Sequence, residues 1–254
     1  MEKWIDTHAH YGHKLFERDR AAAIKRQKEN VKYIFEVGTD TRSNDATIKL
    51  ANEYDFIYTI IGYFPTSVKE LLDENIKKQF EDLAKKDIVK AIGEIGLDYH
   101  GEKDKPSLQR DMFRYQIEFA NSINKPICVH SRDAEKDTLD ILSNYSDIKG
   151  VIHCYSYGIE TAKKLLNQNF YFGIGGTYTY KGNSYAKDVI KYLPIENIVL
   201  ETDAPYLTLN PRRKLRNESN YIEFVIELIS EIKNIEKEEV IKITNQNAKK
   251  LFNI

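Results

Sequence analysis

The chain has 254 residues, with 38 Lys and Arg against 39 Asp and Glu, a formal net charge of −1. That length suits one large α/β barrel or two smaller domains, and the balanced charge excludes a globally basic nucleic-acid glove while leaving a local patch open. No apolar run approaches the ~18–20 residues of a membrane span, and Met1-Glu2-Lys3-Trp4-Ile5-Asp6 has no apolar leader core, so no membrane association and a cytoplasmic location are expected.

Trp4-Ile5-Asp6-Thr7-His8-Ala9-His10 reads as the first strand and its exit, and a period of two puts Asp6, His8 and His10 on one face. Residues 17–30 are predicted helical, 33–37 a strand closed by Gly38, and the region near 44–53 a second helix. The strand 57–61 ends at Gly62-Tyr63-Phe64-Pro65, and a charged helical region covers 67–86. A strand at 89–94 is followed by a loop over 95–106 and a helix to about residue 122. The pattern repeats with strands at 126–130, 150–153 and 170–172, and helices near 134–144, 160–167 and 184–193. Ile198-Val199-Leu200 is a short, wholly apolar run, as a strand buried on both faces should be. It delivers Glu201 and Asp203, which alternation points to one side, before Pro205 stops it. A long loop leads to a helix at 221–233, and 237–252 adds one or two more.

Strands alternating with helices imply a parallel sheet, and about eight such units in this length match a (β/α)8 TIM-type barrel. No Gly/Ser linker or composition break divides the chain, so residues 1–254 are read as one domain. An open, doubly wound sheet is the alternative. Cys128 and Cys154 both end apolar strands beside a histidine, which suggests no disulfide framework.

His8, His10, Glu94, His130, His153 and Asp203 each sit at or just past the C-terminal end of a predicted strand, the end that carries the active site in a parallel barrel. Singly, each has a plain reading: a hydrogen-bonded core histidine, a cap, a turn residue before proline. Together, four of the six histidines and two carboxylates share one topological address. Buried carboxylates need a cation or hydrogen-bond donors opposite them, and clustered imidazoles pack poorly without a metal. Mixed imidazole and carboxylate donors without cysteine suit Zn, Mn, Co or Mg. Six ligands are too many for one tetrahedral ion, and about right for two ions sharing a carboxylate. Glu201, one strand period before Asp203, reads as an acceptor orienting a ligand histidine, with Asp98 and Asp6 as similar candidates.

Asp6-Thr7-His8-Ala9-His10, Gly93-Glu94-Ile95-Gly96-Leu97-Asp98-Tyr99, Pro126-Ile127-Cys128-Val129-His130-Ser131-Arg132-Asp133-Ala134, His153-Cys154-Tyr155-Ser156, Glu201-Thr202-Asp203-Ala204-Pro205-Tyr206-Leu207, Arg216-Asn217-Glu218 and Asn247-Ala248-Lys249-Lys250-Leu251-Phe252 together resemble the TatD family of metal-dependent deoxyribonucleases. The resemblance runs over essentially the whole chain. It implies an amidohydrolase-superfamily barrel with two divalent ions: His8 and His10 on one, His130 and His153 on the other, Glu94 bridging, and Asp203 on the first. It further implies a 3′-exonuclease acting on DNA ends or single-stranded DNA, with Asp203 and Glu94 catalytic. D-aminoacyl-tRNA deacylation, also associated with relatives, is the second reading, and a metal-loaded nucleic-acid-binding protein without turnover the third. A monomer is expected.

Two departures lie on the substrate side. Gly62-Tyr63-Phe64-Pro65 puts Phe64 where the family has histidine, and His153-Cys154-Tyr155-Ser156-Tyr157-Gly158 puts Tyr157 at a small-residue position. For substrate binding the sequence offers Arg132, Phe64, Tyr155, Arg216 and Asn217, with the basic loop 211–216 and the post-strand tyrosines Tyr63, Tyr157, Tyr178 and Tyr180 beside them.

Overall fold

The computed structural model describes residues 2–100, 106–183 and 185–254. Eight parallel strands form one sheet in chain order: β1 (Trp4–Ala9), β2 (Val31–Val37), β3 (Ile57–Ile61), β4 (Val89–Asp98), β5 (Ile127–Arg132), β6 (Gly150–Ile152), β7 (Tyr171–Ile174) and β8 (Ile198–Leu200). The outer helices are α1 (Arg20–Gln27), α2 (Thr41–Glu53), α3 (Glu74–Ala84), α4 (Pro106–Ser122), α5 (Glu135–Leu142), α6 (Ile159–Leu166), α7 (Ala186–Tyr192), α8 (Ile222–Lys233) and α9 (Lys237–Phe252). Sequential order with parallel pairing throughout is the (β/α)8 barrel, not the doubly wound alternative.

Two packed layers explain the near-continuous apolar strands. One face of each strand meets the outer helices in the larger core, which includes Ile34, Ile57, Phe113, Phe172 and Ile226. The opposite residues, among them Ile5, Phe35, Val37, Ile60, Val151 and Val199, fill the barrel itself. Helix α9 caps that inner core: Ala248, Leu251 and Phe252 belong to it, and the Phe252 and Phe35 ring centroids are 4.1 Å apart. Asn247 on the same helix donates to the carbonyls of Ile195 and Ile198, both at 2.7 Å, and so fixes the start of β8. Residues 237–252, read as one or two helices, form one.

Several boundaries differ from the sequence reading for local reasons. The stretch 67–86 breaks at Asp73, whose carboxylate accepts the Asn75 and Ile76 amides and caps α3, leaving a 3-10 turn at Val68–Leu72 before it. The helix predicted at 17–30 narrows to α1, with a 3-10 turn at Lys14–Phe16 ahead of it. The strand predicted to end at Glu94 instead runs to Asp98, pairing Gly96 with His130 and Asp98 with Arg132 on β5. Ile95 and Leu97 are fully buried, so the apolar alternation continues past the charged residue that suggested an end. Of the loop predicted over 95–106, positions 101–105 lie outside the described residues, as does Ser184 at the predicted start of α7.

Phe252→Ala should leave a void between α9 and the barrel interior. A loss of about 3–5 kcal/mol of unfolding free energy is expected, typical of a buried Phe truncation. Urea denaturation measures it; a change below about 1 kcal/mol would mean that α9 is not the inner plug.

Candidate metal centre and active-site cleft

The barrel closes between β1 and β8 at the place where the donors sit. An isolated parallel bridge joins Ala9 and Ala204. The Asp203 amide donates to the His8 carbonyl at 2.9 Å and the His10 amide to the Ala204 carbonyl at 2.7 Å. Lower down, the Thr7 hydroxyl donates to the Leu200 carbonyl at 3.0 Å. Asp6 pins the same seam: its carboxylate accepts the His8 and Thr202 amides and the Thr202 and Ser219 hydroxyls. Asp6 therefore braces backbone and does not orient an imidazole ring, which corrects its sequence-based role. Asp203 takes φ +60°, a left-handed conformation that is costly away from glycine and recurs at functional sites.

Four donor atoms converge above this seam. His8 Nε2 and His10 Nε2 lie 3.2 Å apart. Glu94 Oε2 is 3.5 Å from His8 Nε2 and 3.9 Å from His10 Nε2, and Asp203 Oδ1 is 3.2 Å from His10 Nε2. His10 Nδ1 lies 2.9 Å from the Val37 carbonyl, which can only accept, so Nδ1 carries the proton and Nε2 of the neutral ring offers a lone pair. His8, His10 and Glu94 thus bring three donor atoms mutually within coordination reach, with Asp203 Oδ1 beside His10, a cation site in chemistry and in reach.

Glu94 also faces His130, while His153 stands beside Asp203 and Glu201. Its Oε1 is 2.9 Å from His130 Nδ1, and the other nitrogen of that ring is 3.1 Å from Asp98 Oδ2. His153 Nε2 is 3.9 Å from Asp203 Oδ1, and its Nδ1 is 3.1 Å from Glu201 Oε2. Donor atoms of His8, His153 and Glu201 also lie mutually within coordination reach. Glu201, however, spends its oxygens on His153 Nδ1 and on the Cys154 amide at 2.6 Å, so it acts on the ring. Gly173 on β7 makes room for it: a Cβ there would stand 2.1 Å from Glu201 Oε2.

Burial penalises all these charges, and only their mutual pairing offsets it. Burial alone would raise Glu94, but hydrogen bonds from His130 and His8 and the surrounding imidazoles hold it well below the usual carboxylate range. Asp203 is likewise kept low against burial by His10 and His153. Burial would lower His10 and His153; Asp203 and Glu94 raise His10 to about 9, and Glu201, Glu94 and Asp203 raise His153 to about 10. His8 is pushed down by burial and by His153, whose ring stacks on it at 3.5 Å. The cluster thus demands positive charge, and a divalent cation satisfies the same acceptors.

The cluster opens into a cleft of about 960 Å³ that Phe64, Arg132, His13 and Tyr206 also line. Phe64 is half-buried with its ring centroid 4.5 Å from that of His130. Arg132 is exposed one strand step past the cluster. Three substrate-contact expectations are corrected. Tyr155 is 1% exposed and its hydroxyl donates inward to the Gly158 carbonyl, because the ring is needed against Phe172. Asn217 is also 1% exposed and its amide ties the carbonyls of Thr202 and Tyr206 together, a structural staple. Arg216 pairs with Asp19 and Glu218 and lies over the Phe16 ring, so its guanidinium is already engaged. Tyr63, Tyr157 and Tyr178 likewise spend their hydroxyls within the protein, on Thr41, Ser131 and the Tyr155 carbonyl.

Three features escaped the sequence. Buried Glu36 accepts the Tyr11 and Gly12 amides, both at 2.7 Å, and so shapes the loop after His10. The Cys128 thiol lies 3.4 Å from His8 Nδ1. His13 Nε2 meets the Tyr206 hydroxyl at 3.0 Å on the His10 side of the cleft. Glu36 sits near the end of β2 but its partners are backbone amides of another loop, and the other pairs are far apart in the chain, so no periodicity announces these contacts.

Fold and donor set together define a metal-dependent hydrolase built on a (β/α)8 barrel. The family model described as TatD related DNase matches residues 5–253. YabD of Bacillus subtilis, described as an uncharacterized metal-dependent hydrolase, is 38% identical over 98% of this chain and 99% of its own. YcfH of Escherichia coli K12, described in the same words, is 32% identical over 98% of this chain and 96% of its own. The crystal structure of the TatD homologue YJJV from Escherichia coli K12 superposes with a TM-score of 0.92 at 26% identity, covering 99% of this chain and 98% of that one. The chain belongs to the TatD family.

Gly173→Ala should displace Glu201 and release His153 although it alters no donor. A loss of roughly 10–100-fold in metal affinity is expected, as for partners that orient ligand histidines. Isothermal titration with Zn²⁺ or Mn²⁺ measures it, and an unchanged affinity would remove Glu201 from that role. Because His10 and His153 hold protons up to about 9 and 10, loading metal at pH 8 should also release protons and affinity should fall as the pH is lowered. A pH-indicator dye in weak buffer follows the release; a silent indicator would show that coordination does not run through these imidazoles.

Proposed function

We propose that the protein is a two-metal deoxyribonuclease that removes nucleotides from the 3′ ends of single-stranded DNA. The observation that carries this reading is the clustering of His8, His10, Glu94 and Asp203, with His130 on the other oxygen of Glu94 and His153 beside Asp203, at the floor of a cleft walled by Phe64 and Arg132. His8, His10 and Asp203 would hold one ion, His130 and His153 the other, and Glu94 would reach both. Divalent ions bound there, of the Mg, Mn, Zn or Co type, supply a water made acidic enough to attack at neutral pH and positive charge for the phosphoryl oxygens.

The side chains then have separable tasks. Asp203 is ionised at neutral pH and points into the cleft, so it can accept the proton of the attacking water. Glu201 and Asp98 keep the His153 and His130 rings in fixed orientation. Arg132 can bind a phosphate beside the cluster, and the Phe64 ring offers a face to a terminal base. The hydroxyl of Tyr206, steadied by His13, is a hydrogen-bond donor on the opposite, His10 side.

The deciding experiment incubates metal-reconstituted protein with 5′-end-labelled single-stranded DNA and, separately, with D-aminoacyl-tRNA. Stepwise shortening of the DNA, abolished by chelation and by Glu94→Ala together with loss of bound metal, is the expected result. Release of the D-amino acid with intact DNA would replace nuclease by ester hydrolase, and no turnover of either by a metal-loaded binding protein.

Phe64 makes a further test. Phenylalanine cannot donate to a phosphate oxygen or protonate a leaving group, so Phe64→His should raise turnover on DNA, up to the roughly 10²–10⁴-fold that positioned acid catalysis contributes. Metal content should stay constant by elemental analysis. Slower turnover with full metal would mean that Phe64 shapes a pocket for another substrate.

A further inference from the structure

Beside the metal-bearing cleft lies a second cavity of about 510 Å³, within the roughly 300–1,000 Å³ range of ligand pockets. The two share Cys154, Ser156 and Thr177, so a ligand can pass from one to the other without leaving the surface. The far wall of the second cavity carries Tyr180, Lys181, Asn183, Tyr185 and Arg213, and none of its lining residues is acidic. Elsewhere the wall of the main cleft is mixed in charge, with Glu17, Glu36 and Asp40 beside Lys14, Arg20 and Arg42.

The cations here are uncommitted. Lys181 and Arg213 are exposed and make no ion pair among the described residues, in contrast to Arg216 on the same loop. The Arg213 guanidinium lies 4.0 Å over the Tyr180 ring, which holds it at the rim with its N–H edges outward. Tyr180 is itself fixed by its hydroxyl, which donates to the Thr208 carbonyl at 3.2 Å. Tyr185 is 43% exposed and anchored by a 2.9 Å bond to the carbonyl of Ser156, which lines both cavities, so an aromatic face stands in the wall of the second.

We infer that this second cavity is a subsite for the strand behind the scissile nucleotide, with Arg213 and Lys181 on its phosphates and Tyr185 and the Arg213–Tyr180 pair against its unpaired bases. The inference rests on the nuclease reading and adds a direction to it: the strand leaves the metal centre past Cys154 and Thr177, the residues that the two cavities share. Pairing one aromatic–cation stack with acid-free walls suits single strands, whose bases are free to stack, over duplex.

The test compares a substrate with no strand behind it, thymidine 5′-(p-nitrophenyl phosphate), with a single-stranded hexanucleotide, using the metal-loaded full chain. For the Lys181→Ala/Arg213→Ala double variant, kcat/KM on the hexanucleotide should fall about tenfold or more, and the salt dependence of binding should flatten. Turnover of the small ester should stay within about twofold of wild type, and Arg213→Lys should recover part of the loss by restoring the charge. Equal loss on both substrates, or undiminished turnover of the hexanucleotide, overturns the subsite while leaving the nuclease reading intact. A wild-type protein that hydrolyses the small ester and cleaves no oligonucleotide overturns the nuclease reading, and the subsite with it. Melting temperatures of the variants within a few degrees of wild type exclude misfolding as the cause.

Discussion

The structure turns on the closure of the barrel between β1 and β8. Strand β8 has only three residues, and the described contacts across this seam are an isolated bridge and a handful of polar bonds where other strand pairs form ladders. Those bonds come from the residues that carry or flank the donors: the Asp203 amide to His8, the His10 amide to Ala204, and Asp6 to His8 and Thr202. Closing the sheet and assembling the cluster are thus one event. Asn247 from the far end of the chain secures β8 from below, which links the terminal helix to the placement of Asp203.

A second dependence is electrostatic. His8, Glu94 and His153 are almost wholly buried, where isolated charges are costly, and each is tolerable only because the others are present. Each ring also has its own partner on the nitrogen facing away from the cluster: Cys128 for His8, Val37 for His10, Asp98 for His130 and Glu201 for His153. Four different partners from four regions of the chain leave little rotational freedom at the centre. Such preorganisation is what lets a metal site hold its geometry through turnover.

The substrate side is built differently. Apart from Arg132 at the end of β5, its residues lie in loops, Phe64 and Tyr157 among them, where the barrel imposes little. Arg216 and Asn217 serve loop architecture and Tyr155 the core, while neighbouring Arg213 and Tyr180 stay available.

The sequence by itself determined the strand–helix alternation, the parallel barrel, the gathering of His8, His10, His130, His153 and Asp203 toward the C-terminal side of the strands, and the membership of the TatD family. These are legible because period-two and period-3.6 patterns are local, and because a parallel barrel sends every strand's C-terminal end to one face. Tertiary structure decided what depends on distance between remote segments. It extended β4 past a charged Glu94 because β5 was there to pair with it, and it turned Asp6 toward backbone amides. It sank Tyr155 against Phe172, and tied Arg216 to Asp19, 197 residues away in the chain. A side chain's type shows which bonds it can make, but which one it makes is fixed by what the folded chain brings within about 3 Å of it.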